Sequence, residues 1–200
     1  MLREKIGIYL AYLMQMLIVV YAVYSVYIKD YIWAVWGLFA FILTLTPLML
    51  KRRFHVTLPW ELNFLIVLSL YLSISGNVWG WYHLFYPFYD KVAHLVSSIT
   101  IAVLGFVAAV IMDRYTEIKL NRPMIVFFVI IFTMAIGSFW EITEFISDKI
   151  IGTQLQPGLG DTMYDLIFDL AGGIIIGVLG DVYLKRTPKE RFVRDFLNRK

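Results

Sequence analysis

Seven residues between positions 90 and 169 have the types and spacing that do chemistry. Asp90 and His94 stand four apart, Glu141 and Glu144 three apart, and Asp161, Asp165 and Asp169 four apart in succession. On a helix, these intervals put the side chains of each set on one face. Carboxylates gathered around an imidazole either hold a cation or move protons. One histidine with several oxygens suits Mg²⁺, Mn²⁺ or Ca²⁺, and Zn²⁺ or Fe²⁺ fit as well. Asp90, His94, Glu141, Asp165 and Asp169 are therefore the candidate ligands of a divalent metal ion. Glu144 and Asp161 are the candidate catalytic bases acting on bound water. The chain has no cysteine, which excludes thiolate ligands and disulfides. It has no HExxH pair, and the segment Gly152–Gly160 (GTQLQPGLG) lacks both the lysine and the spacing of a phosphate-binding loop. Its glycines and proline read as a tight connection.

The elements that must position these residues are membrane helices. Of 200 residues, 60% are hydrophobic and 16% charged, with a mean hydropathy of +0.72. A soluble domain is nearer about 45–50% apolar and 25% charged. At about 20 apolar residues per crossing, the composition predicts an all-α polytopic membrane protein. The expected bundle has six transmembrane helices, near Ile6–Ile28, Tyr31–Leu50, Leu62–Val78, Val92–Met112, Met124–Ile146 and Met163–Leu184. The first apolar run is too long for a signal peptide and no cleavage site follows it. Residues 1–184 form the membrane domain, with the polar core in 84–180, and residues 185–200 form a basic amphipathic tail.

Basic residues orient the bundle. Of the 18 lysines and arginines, only Lys29, Lys91 and Lys149 fall in the loops after spans one, three and five. The other fifteen lie on the opposite side, which predicts a multi-pass plasma-membrane protein with both termini cytoplasmic. In the tail, Thr187 and Glu190 fit a capping box with Pro188 at the first helical position. Phe192, Val193, Phe196 and Leu197 then share an apolar face, with Arg191, Arg194 and Arg199 elsewhere. This reads as an interfacial helix on an anionic leaflet or as a solvated basic tail, and in neither case as a nucleic-acid contact.

With that orientation, Asp90, Glu141, Glu144, Asp161, Asp165 and Asp169 collect toward the outer face with only Lys91 and Lys149 as nearby fixed partners. By helical rise, Asp169 lies about 9 Å below the start of its span. Like charges at such spacing need bound protons or a bound cation. The alternative is that the spans are apart and each acid reaches water alone. The preceding segment Trp79–Tyr89 (WGWYHLFYPFY) reads as an aromatic belt at the headgroups, or as a lid that grips lipid.

The order YPFYDKVAH, WEITEF and GDTMYDLIFDLAGG resembles the YjdF-like inner-membrane proteins, a family of unknown function, and is distantly similar to the VanZ-like proteins, linked by name to teicoplanin resistance. The matching positions are Asp90, His94, Glu141, Asp165 and Asp169, within residues 84–180. VanZ-like sequences often carry glutamine and asparagine where Glu144 and Asp169 stand here. The resemblance implies a membrane protein with a shared polar core and supplies no reaction.

Three functions fit these residues. One is a metal-dependent hydrolase or transferase acting on membrane lipids or lipid-linked envelope substrates. The second is a proton- or cation-coupled transporter. The third is a scaffold or sensor whose buried polar cluster sets helix packing. Below Asp169 the helix face runs through Gly172, Gly173, Ile176 and Gly177 with no charge before Asp181, which weighs against a wet path across the membrane.

Overall fold

The computed structural model describes residues 2–54 and 57–197. It is all-helical, with no strand among the described residues. Five helices are long and apolar enough to cross a membrane, or six if one bent pair counts as a single span. The chain divides into two compact units, the second being residues 94–193.

In the first unit, α1 (Leu2–Tyr27) packs on α2 (Tyr31–Thr44) and α4 (Trp60–Val78). Ile18, Tyr21, Ala40 and Ile74 form the buried centre of that contact. The expected second span is not one straight helix. It breaks after Thr44 and continues as α3 (Thr46–Phe54), with a bend of 41°. Pro47 is the cause: it has no N–H to give the preceding turn, and its ring crowds that turn. At the break, the side-chain amide of Gln15 donates to the Thr44 carbonyl at 3.3 Å, which pairs an acceptor inside the protein, as a membrane environment requires.

The aromatic stretch after α4 divides between two roles. Tyr82, in the short helix α5 (Trp81–Leu84), and Tyr89 stack edge to face at 5.2 Å. A Cβ at Gly76 would strike both rings. The Tyr89 hydroxyl lies 2.8 Å from Ser75 Oγ and 2.9 Å from the Leu72 carbonyl. These two tyrosines are therefore packing residues of the α4 end. Trp79, His83, Phe85, Tyr86 and Phe88 are exposed.

The second unit holds most of α6 (Phe88–Tyr115), then α7 (Arg122–Ile150), α8 (Leu159–Arg186) and most of α9 (Lys189–Leu197). Small residues set the approach of its helices. Gly173 faces Thr133 and Gly177 faces Val126, so α7 and α8 run antiparallel. Gly172 faces Ser98 and Gly180 faces Phe106, so α6 and α8 run parallel.

Part of the tail packs on α6 and α8. Phe192 packs edge to face on Phe106 and Tyr183, at 5.5 and 5.8 Å, and Val193 is buried. Lys189 Nζ reaches Asp113 Oδ2 at 2.9 Å and also donates to the Leu120 carbonyl. The apolar side expected to meet lipid is used, at Phe192, to dock α9 on α6 and α8. Arg199, Lys200 and the Leu197 side chain lie outside what is described. Phe192→Ala should cost this docking about 2 kcal/mol and raise amide exchange across α9, read by hydrogen–deuterium exchange in detergent. Unchanged protection would mean that the two ring contacts do not hold the helix.

Candidate metal centre

Three helices of the second unit meet at His94. The histidine projects from α6 and is buried, Glu141 comes from α7, and Asp165 and Asp169 come from α8. Each of the four is less than 10% exposed. Asp169 Oδ1 lies 3.3 Å from His94 Nδ1. On the other edge of the ring, Nε2 stands 3.6 Å from Glu141 Oε1 and 3.7 Å from Asp165 Oδ1. These two distances exceed a hydrogen bond.

Local sequence explains how three buried acids reach one ring. Asp165 and Asp169 are four apart, so one face of α8 presents both to α6. Asp169 packs directly on Gly137: a Cβ there would collide with the Asp169 carboxylate. Its Oδ2 is buried and accepts no hydrogen bond among the described residues. A buried carboxylate oxygen without a donor is costly.

Two residues not singled out in the sequence complete the site. The Gln156 side-chain amide donates at 2.8 Å to both the Glu141 carbonyl and Glu141 Oε2. Asp148 holds the loop that carries Gln156, accepting from Thr153 Oγ1 at 2.6 Å and from the backbone N–H groups of Leu155 and Gln156 at 2.9 Å each. The available signal was an acid near a helix end followed by a Gly/Pro-rich connection, the setting in which Asp caps local backbone.

The other predicted site residues are placed as follows. Asp90 is four residues before His94 on the same continuous helix and shares its face; Lys91 beside it is buried and bonds Asp90 Oδ2 at 3.0 Å. Glu144 lies one turn beyond Glu141, and Asp161 lies in the first turn of α8. Both are half-buried and sit at the ends joined by the α7–α8 connection. Thus His94, Glu141, Asp165 and Asp169 are brought together, with Glu144 and Asp161 a turn nearer that connection on their own helices.

A family model described as a predicted membrane protein, DUF2238, matches residues 9–186. The chain belongs to that family. The match spans every residue of the cluster. A similar relative, an uncharacterized protein of Thermotoga maritima, is 30% identical over 146 residues, which are 72% of this chain and 73% of the relative. No solved structure matches.

The Gly137–Asp169 contact is testable by a mutant cycle. Gly137→Ala should lower stability by about 1–3 kcal/mol through overpacking, and much less in an Asp169→Ala background that lacks the colliding atoms. Thermal denaturation of the four proteins in detergent measures this. Equal costs in both backgrounds would place the strain elsewhere.

Proposed function

We propose that this membrane protein binds one divalent cation on the Nε2 side of His94, with Glu141 Oε1 and Asp165 Oδ1 as the oxygen ligands. The observation that carries the reading is the division of labour around the ring. An Nδ1–H engaged by Asp169 directs the Nε2 lone pair at the two other carboxylates, the arrangement in which a second carboxylate orients a ligating histidine. Separations of 3.6 and 3.7 Å from Nε2 are close to the edge of a tetrahedron, roughly 3.4 Å for ligands about 2.1 Å from Zn²⁺. Asp169, on the opposite edge of the ring, is then the orienting group and not a ligand to the same ion. Asp90, on the His94 face of α6, is the further ligand we propose. The same residues carry the YjdF-like and VanZ-like likeness.

Charge supports a cation. Three carboxylates surround an imidazole that carries at most one positive charge, and Lys91 on the same helix is paired with Asp90. Bringing a divalent ion among them offsets the excess.

The reaction we propose is metal-assisted hydrolysis or transfer on a lipid or lipid-linked substrate, at an outward-facing site with both termini cytoplasmic. A bound cation would acidify a water, and Glu144 or Asp161 would accept its proton. Support for a lipid substrate comes from Phe139, Ile142 and Phe145 on α7 and from Met163 and Ile167 on α8, all exposed apolar side chains at the level of the acids. Transport is supported less, because the helix faces below Asp169 are closed by the glycine contacts with Ser98, Thr133, Val126 and Phe106.

Elemental analysis of the detergent-purified protein and titration with Zn²⁺ and Mn²⁺ test the reading. One ion per chain is expected. Asp165→Asn and His94→Ala should weaken binding by about 100-fold or more, and binding should weaken as pH falls because protons compete for the ligands. Wild-type protein that binds no divalent ion, while these variants lose stability, would make the cluster a packing device or a proton carrier.

A further inference from the structure

The loop between α7 and α8 bears on which cation such a site accepts. Gly152 turns the chain with φ +78°, and Asp148 then grips Thr153, Leu155 and Gln156. This brings the Gln156 amide onto Glu141. Both of its partners there, the Glu141 carbonyl and Oε2, are acceptors. The amide nitrogen must therefore face them. Of the two Glu141 oxygens, Oε2 is held by a donor while Oε1 faces His94 Nε2.

We propose that Gln156 determines the cation specificity of this site by making Glu141 a one-oxygen ligand, which favours Zn²⁺ over Ca²⁺. Ca²⁺ takes six to eight oxygens and relies on carboxylates that give both of theirs. Zn²⁺ is satisfied by four ligands, a histidine nitrogen and single carboxylate oxygens among them. A donor fixed on Oε2 leaves a Ca²⁺ ion short of ligands and costs Zn²⁺ nothing. Asp148 is a positioning residue in this scheme, because it acts on Glu141 only through the loop and Gln156. The inference rests on the Nε2 face of His94 being an ion site.

The test is calorimetric titration of the full-length detergent-purified protein with Zn²⁺ and, separately, with Ca²⁺. Wild type should bind Zn²⁺ far more tightly. Gln156→Met, which keeps side-chain length and removes the donor, should weaken Zn²⁺ binding about 10–100-fold, the usual effect of losing an outer partner of a ligand. Ca²⁺ binding should stay level or strengthen, so the preference narrows by at least tenfold. Asp148→Ala, which leaves Gln156 in place, should narrow it in the same direction. Ion-free melting of each variant checks folding, and if Gln156→Met does not fold, Asp148→Ala decides. An unchanged Zn²⁺/Ca²⁺ ratio in folded variants overturns the proposal and leaves the ion site standing. Failure of wild type to bind either ion overturns the ion site, and the proposal with it.

Discussion

Burial of one imidazole among three carboxylates is the constraint on which the second unit depends. In a medium of low dielectric such a group is destabilising unless its charges and hydrogen bonds are balanced. That requirement reaches well beyond the four residues. It reaches residue 137, where a Cβ would collide with the Asp169 carboxylate as it is placed against His94. It also requires α6, α7 and α8 to approach closely along their length, and glycines 172, 173, 177 and 180 of α8 allow this. A bundle held apart by larger side chains would leave the same acids to find water separately.

The two connections flanking α7 use one device. Asp113 accepts from the backbone N–H of Leu120, and Asp148 accepts from that of Leu155. In each case an aspartate near the end of a helix ties down backbone seven residues later. A connection without regular structure leaves N–H groups that must be paired when they are partly buried, and a carboxylate satisfies more than one. At one end the Asp113 knot also receives Lys189 and thereby docks α9. At the other, the Asp148 knot delivers Gln156 to Glu141. The loops are thus as specified as the helices they join, and one of them supplies part of the site.

Most of the fold is legible in the sequence because membrane helices announce themselves by length and apolarity. Five candidate spans are single helices near the expected positions, and a bent pair, α2–α3, stands where the other was expected. The bend lay in the sequence as Pro47. Its resolution did not, since the donor that satisfies the Thr44 carbonyl is Gln15 on another helix. The tail was read from its amphipathic pattern alone. Such a pattern says that one side must be covered and does not say by what; for Phe192 the cover is Phe106 and Tyr183.

For the site, the sequence by itself determined which residues share a helix face. Intervals of three and four set that through the helical repeat. Only the tertiary structure decided which edge of the imidazole each acid meets, with Asp169 at Nδ1 and Glu141 and Asp165 at Nε2. Ring orientation depends on the rotation of one helix against another, and that rotation is fixed by glycine contacts across the interface. Gln156 became part of the site for a similar reason: its place depends on how Asp148 folds the loop back, a distance in space that spacing along the chain does not encode.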